Sequence, residues 1–279
     1  MVIGKPSRTA LAAAAYRAAH QVLEQGRIFS DPLAIRILGA DADAAMARAS
    51  EGGGAARMRV FIAVRTRFAE DALAAAFAAG VRQTVVLGAG LDTFAYRTIL
   101  GPQLRVFEVD HPATQSWKRQ LLEDAGIALP DCLTFAPVDF EHETLAAGLE
   151  AAGFDRGQPA FFTWLGVVPY LTAEAIWSTL RFIAELPGGA QVVFDYADPP
   201  ETLSPEARAA HERRAARVAA IGESFLTYFE PPELHAQLAA IGFREVEDLG
   251  PPEIVATYLP WRKDPVPSRG GHILRASTA

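Results

Sequence analysis

The sequence predicts a doubly wound α/β fold built on a mostly parallel sheet, and three observations predict it. From residue 84 onward, apolar β-prone runs alternate with helical stretches, the pattern of βαβ units. The strand runs, such as "QVVFDY" at 191–196, are nearly all apolar, as suits strands covered on both faces. The first of them, in "TVVLGAGLDTFAYR" (84–97), runs straight into a Gly-Ala-Gly turn at the sheet edge where such folds bind ligands.

Each element has its own signal. Residues 7–25 have helical composition, with Lys5 and Arg8 ahead of an Ala-rich run. That run is weakly apolar and cut by Arg17, so it reads as a soluble helix and not a signal peptide. Ser30, Asp31 and Pro32 predict a second, short helix, with Asp31 placed to cap and Pro32 in its first turn. Glu51, Gly52, Gly53 and Gly54 form a flexible break. Residues 56–79 then read as a long helix with Met58, Phe61, Ile62, Phe68, Leu73 and Phe77 on recurring faces.

Strands are expected at 84–87, 104–109, 133–138, 160–165 and 191–196, with helices around 113–125, 142–152 and 173–185. The charged stretch 201–222 is a helical lid, 231–241 a further helix, and 244–249 and 272–276 the closing strands. Pro251, Pro252, Pro260, Pro265 and Pro267 predict a stiff, irregular tail. The expected organisation is one domain over 1–279: a helical N-terminal extension (1–80), a binding core (81–197), a lid (198–230) and the rest of the core (231–279).

Composition narrows the function. Half of the 279 residues are hydrophobic, enough for a sizeable core and too many for a disordered chain. A formal net charge of −7 disfavours nucleic acid as a partner. No apolar stretch approaches the roughly 20 residues that span a bilayer, so a cytoplasmic protein away from membranes is expected. The single cysteine, Cys132, excludes an intrachain disulfide. No His/Cys/Asp group has metal-ligand spacing, so no metal is expected. The oligomeric state is left open.

The glycine turn carries the chemistry. Gly88 and Gly90 lack Cβ atoms and permit both close approach and positive φ. A dinucleotide fingerprint would continue to a third glycine at position 93, where Thr93 stands, and no phosphate-loop lysine follows. The second strand ends in "FEVD", placing Asp110 about 20 residues on, where a carboxylate accepts from both hydroxyls of a ribose. The third ends in "PVDF", which adds Asp139 and an aromatic wall, Phe140, suited to a purine. Three strand ends with ligand-type groups at one edge point to a nucleoside-bearing cofactor.

The motifs "RVFIAVRTRFAEDAL", "VVLGAGLDTFAYR", "FEVDHP", "PVDF" and "FFTWLGVVPYLT", in this order, resemble the leucine carboxyl methyltransferase-like family of class I S-adenosylmethionine-dependent methyltransferases. "SRTALAAAAYRAAH" and "FSDPLA" are similar to the family's N-terminal segment, and the resemblance covers about residues 7 to 200. It implies a Rossmann-like sheet with S-adenosylmethionine as cofactor. Arg65 would pair with the methionyl carboxylate, a role suited to a guanidinium fork. Gly88 and Gly90 would lie under the methionyl and ribose portion, and Asp110 would hold the ribose, with Glu108 a structural neighbour. Asp139 would accept from the adenine amino group and Phe140 would lie close to the ring. Arg17 matches a basic position near the substrate or cofactor carboxylate. Asp92 would cap the following helix or contact the cofactor indirectly. Where many relatives carry Trp-Glu-Gly-Val, this chain has Trp164, Leu165, Gly166 and Val167, so an acidic contact is replaced by Leu165.

The resemblance further implies O-methylation of a small organic acid or a phenolic, polyketide-like acceptor. Leu165, Tyr170, Tyr196 and His211 are the candidate acceptor pocket. His211 lies among Arg208, Arg213, Arg214 and Arg217, which form either a solvated helix face or an anion-attracting gate. No catalytic base is evident, which favours a carboxylate acceptor, already ionised at neutral pH. Two other classes fit part of the pattern: an NAD(P)-dependent oxidoreductase, which shares the ribose carboxylate but needs the missing glycine, and a non-catalytic S-adenosylmethionine-binding regulator, favoured by Leu165.

Overall fold

Strand β1 (Gln83–Leu87) is buried along its whole length and pairs in parallel with β2 (Arg105–Asp110), Val85 opposite Phe107 and Leu87 opposite Val109. Strand β3 (Leu133–Pro137) continues the parallel order, Asp110 opposite Pro137. The computed structural model describes residues 7–52, 54–140 and 142–279. Lys5 and Gly53, used in the sequence reading, lie outside these residues. The chain divides into two compact units, Met1–Asp155 and Arg156–Ala279, and β1 to β3 belong to the first.

The first unit carries helices α1 (Arg8–Leu23), α2 (Ala42–Ser50), α3 (Ala55–Ala78), α4 (Phe94–Arg97), α5 (Pro112–Asp124) and α6 (Leu145–Ala151). Ser7 starts α1, its hydroxyl accepting from the Ala10 N–H at 3.1 Å. The alanine run of α1 is a packing surface. Ala14, Ala15, Ala18 and Ala19 are buried in one cluster with Ile37, Leu38, Ala45, Ala49 and Leu91. Alanine has the highest helix propensity and loses no rotamer entropy when buried, so this short-range packing is stable despite its small area. In α3 the expected apolar face holds, with Ile62, Phe68 and Leu73 buried. Each such side chain contributes about 1.5–3 kcal/mol.

Two expectations for this unit are corrected. The short helix at Asp31 and Pro32 is a turn followed by a 3-10 segment, Arg36–Asp41, kinked at Gly39 (φ 59°, ψ −139°). The Asp31 side chain does accept from the Leu33 N–H at 3.0 Å, but its carboxylate is shared with more distant partners. Helix α2 was not expected, because a stretch of Ala with few larger apolar residues has no strong period.

The second unit holds β4 (Ala160–Trp164) and β5 (Ala190–Ala197), parallel, with Phe162 opposite Val192. Strand β7 (Gly271–Ser277) lies antiparallel to β5 and to β6 (Glu245–Leu249), giving the order β4-β5-β7-β6 within this unit. Its helices are α7 (Ala173–Ala184), α8 (Pro205–Ala219), α9 (Pro231–Ala240) and α10 (Pro251–Tyr258). The expected irregular tail is corrected at its start by α10, while residues 259–270, with Pro260, Pro265 and Pro267, form neither helix nor strand. Pro251 and Pro252 sit in its first turn, where the missing N–H costs nothing and the fixed φ suits a helix. The α/β, mostly parallel, Rossmann-like class is the one observed. No helix among the described residues is long and apolar enough to cross a membrane.

A buried polar tie joins β5, β6 and β7. His272 faces Asp248 Oδ1 through Nδ1 at 3.1 Å and Asp198 Oδ2 through Nε2 at 3.2 Å. Asp248 Oδ2 also accepts from the Tyr196 hydroxyl and from His235 Nε2. Burial alone would lower the His272 pKa, but the two carboxylates outweigh it and raise it.

Candidate functional site

The site grows from the carboxyl end of β1. The N–H groups of Gly88 and Ala89 both donate to Val109 O, at 2.9 and 3.1 Å, so the turn folds onto the end of β2. Both glycines have positive φ, +65° at Gly88 and +43° at Gly90, a conformation that L side chains rarely adopt. Gly90 has a second constraint: a Cβ there would lie 2.9 Å from Ala10 Cβ on α1.

Asp110 closes the turn. Its Oδ2 accepts from the Gly90 N–H at 2.6 Å and its Oδ1 from the His111 N–H at 2.7 Å. Each oxygen then keeps one further lone-pair direction. The residue is 8 % exposed. Burial raises its pKa, and the Gly90 and His111 N–H groups draw it back. His111 starts α5, its Nδ1 accepting from the Ala113 N–H at 3.1 Å.

Two residues back on β2, Glu108 is fully buried. Its Oε2 accepts from Lys118 Nζ at 2.7 Å and from the Tyr96 hydroxyl at 3.3 Å. Burial pushes its pKa up to about 7, against the attraction of Lys118. Asp139 and Phe140 follow β3, beside the end of β2. Asp139 Oδ2 lies 3.0 Å from His142 Nδ1, and the Phe140 ring is exposed. Arg65 is 9 % exposed among the buried residues of α3.

The far side of the turn is held by a cluster that the sequence did not disclose. Arg17 donates through Nε to Asp31 Oδ2 at 2.9 Å and through Nη2 to Leu91 O at 2.6 Å. Thr93 Oγ1 donates to the same Asp31 oxygen at 2.6 Å. Arg97 donates to Thr93 Oγ1 at 3.1 Å and grips Glu70 with both terminal nitrogens. Burial would raise the Asp31 pKa, but Arg17 and Arg97, with the Thr93 and Leu33 hydrogen bonds, hold it below the usual carboxylate value. Asp92 accepts from the Phe94 N–H at 2.8 Å, a local turn bond one residue ahead of Thr93, the N-cap of α4. The structure thus joins Gly88, Gly90 and Asp110 directly, and engages Arg17 with the turn through Asp31 and a backbone carbonyl.

The candidate acceptor residues fall in the second unit and separate into two groups. Tyr170 and His211 share a neighbour, Phe225, at ring distances of 5.2 and 5.7 Å. His211 Nε2 is 2.9 Å from the Tyr228 hydroxyl, and burial, followed by the Arg214 charge, lowers its pKa. His211 therefore belongs to an aromatic cluster and not to a solvated face. Of the neighbouring arginines, Arg208 is engaged by the carbonyls of Pro200 and Glu201, and Arg214 lies over the Phe225 ring at 4.7 Å. Tyr196 is corrected: it is a core residue, 2 % exposed, with its hydroxyl on Asp248 and its ring stacked on His272. A strand buried on both faces gives it no open side. Leu165 is half-buried, and Gly166 beside it donates to Asp195 Oδ1 at 2.5 Å. Asp195 was missed; the lone acid inside "QVVFDY" was its only signal.

Residues 10–184 match the leucine carboxyl methyltransferase family. YktD of Bacillus subtilis (strain 168), provisionally named an S-adenosyl-L-methionine-dependent methyltransferase, is 37 % identical over 204 residues, covering 72 % of this chain and 66 % of that protein. A Parafrankia protein with the same provisional naming is 37 % identical over 208 residues, again 72 % of this chain and 66 % of its own length. The chain thus spans just under two thirds of the length of these relatives. A solved structure from Bordetella parapertussis, described provisionally as an exported protein, superposes with a TM-score of 0.51 at 17 % identity, over 96 % of this chain and 95 % of that one, a likeness of fold alone.

Proposed function

Because the chain belongs to the leucine carboxyl methyltransferase family, whose cofactor is S-adenosylmethionine, we propose that it is a cytoplasmic O-methyltransferase of a small organic acid, with a carboxylate as the favoured acceptor. The observation that carries the cofactor assignment is Asp110. Its carboxylate is fixed by two backbone N–H groups and keeps one lone pair per oxygen for the two ribose hydroxyls. Gly88 and Gly90, whose positive φ shapes the turn, would lie under the methionyl and ribose portion. Asp139 would accept from the adenine amino group, the exposed Phe140 would cover the ring, and Arg65 would meet the methionyl carboxylate. S-adenosylmethionine supplies a methyl group activated on a sulfonium. The protein has to hold the acceptor oxygen in line with that carbon and keep water away. The C–O bond forms as the C–S bond breaks, leaving a methyl ester and S-adenosylhomocysteine.

A carboxylate needs no base, and the guanidinium of Arg214 beside Tyr170, His211 and Phe225 suits an anion. One observation favours a phenolic acceptor instead. His211, whose pKa is lowered by burial and by Arg214 and which is within hydrogen-bond distance of Tyr228, has the makings of a general base. The two readings separate in a screen of carboxylic and phenolic acceptors. For an acid of pKa near 4, the expected rate is flat from about pH 6.5 to 9 and the product is hydrolysed by mild alkali. An alkali-stable ether, with a rate that rises with pH and is lost in His211→Ala, would move the chemistry to a hydroxyl. Calorimetry with S-adenosylhomocysteine and NAD tests the cofactor independently; binding of NAD alone would favour an oxidoreductase.

A further inference from the structure

We infer that Asp31 is a positioning residue for cofactor binding: it clamps the far side of the glycine turn, opposite Asp110, through Thr93 and through the Arg17 that holds Leu91. This rests on the proposed cofactor site. The turn runs from Gly88 to Thr93 and has two anchors. On one side, Val109 O and Asp110 take the N–H groups of Gly88, Ala89 and Gly90. On the other, the Leu91 carbonyl and the Thr93 hydroxyl are both tied to one carboxylate, directly for Thr93 and through the Arg17 guanidinium for Leu91. The Asp31 side chain is fully buried and touches nothing at the Asp110 edge.

Two features distinguish this cluster from a core ion pair that merely stabilises. Its hydrogen bonds end on the ligand-side turn and not only on helices. It is also balanced, with Arg17 and Arg97 facing Asp31 and Glu70, so Asp31 orients two buried cations that would otherwise repel. Gly90 sits against Ala10 of the same helix that carries Arg17, so a shift of α1 is passed straight to the N–H that Asp110 holds. Asp31 acts on the turn; it does not touch the cofactor.

The test separates positioning from stability. In Asp31→Asn, S-adenosylhomocysteine affinity by calorimetry is expected to fall at least tenfold, with faster amide exchange at Ala89, Gly90 and Leu91 in the free protein. Thr93→Val, which keeps shape and all buried charges, should weaken affinity severalfold with a smaller fall in Tm than Asp31→Asn, and serves if Asp31→Asn does not fold. Adding Arg17→Met to Asp31→Asn removes the uncompensated guanidinium, so Tm should recover while affinity stays low. If affinity recovers together with Tm, or if Thr93→Val binds as the native protein does, Asp31 is structural only and the inference falls. If the native protein does not bind S-adenosylhomocysteine, the cofactor reading fails instead, and amide exchange still shows whether Asp31 orders the turn.

Discussion

Replacing Lys118 with Met is expected to destabilise the protein by about 3–5 kcal/mol, the usual cost of leaving one member of a buried ion pair without the other. Lys118 and Glu108 are each about 1 % exposed in their side chains, and the pair ties α5 to β2 two residues before Asp110. The second Glu108 oxygen, Oε1, has no hydrogen-bond partner, so the stranded charge would be left with only the long hydrogen bond from the Tyr96 hydroxyl, 3.3 Å. The effect should depend on pH with a definite sign. The folded-state pKa of Glu108 is raised to about 7, above the ordinary 4.5, so its contribution to stability is complete below pH 4.5 and is lost as pH rises through 7. Without Lys118 that pKa rises further, and the destabilisation grows from pH 5 to pH 8.5. Urea denaturation of native and Lys118→Met proteins at the two pH values checks this. A double variant, Glu108→Gln with Lys118→Met, should recover most of the loss. An equal loss at both pH values would show that Glu108 is not the titrating group.

The second large effect is on binding. Asp110→Ala is expected to weaken S-adenosylhomocysteine by an order of magnitude or more, because a carboxylate loses two hydrogen bonds to ribose, about 1.5–3 kcal/mol. The variant also strips the Gly90 and His111 N–H groups of their acceptor, which loosens the turn. Asp110→Asn is a sharper probe: it keeps the volume but turns an NH2 toward one of those N–H donors. Calorimetry alongside circular dichroism separates binding from folding. A folded Asp110→Ala protein with native affinity would take the ribose away from this residue.

How much of this was legible in the sequence depended on how far apart the interacting residues lie. The strands were readable because apolar β-prone runs end at Gly or Asp, and their positions differ from 84–87, 104–109 and 191–196 by a residue or so at each end. The facing of Asp110 and Gly90 was readable because the spacing of a strand end and the next strand end is set by one βαβ unit. Arg17 and Asp31 were visible as residues, but their pairing was not. Asp31 looked like a local helix cap, and nothing local marks a carboxylate that serves Thr93, 62 positions away. Helix α10 was hidden for another reason: two adjacent prolines signal a break and a helix start equally well, and only the packing of Ile254 decides. Tyr196 misled because its place just inside the end of a strand suggests a rim, whereas β7 covers that strand edge and Asp248 takes its hydroxyl.

The long reach of the N-terminal helix has a kinetic consequence. Arg17 and Leu91 are separated by 74 positions and Asp31 and Thr93 by 62, so these bonds close large loops of chain. Contacts of high sequence separation form late, after the entropy of loop closure has been met. During refolding, β1 and β2 can pair and Asp110 can meet Gly90 across only 20 positions, while the other side of the turn waits for α1 to dock. Secondary structure will therefore return before the ability to bind ligand, and the lag between the two reports the docking of the first thirty or so residues onto a sheet already formed.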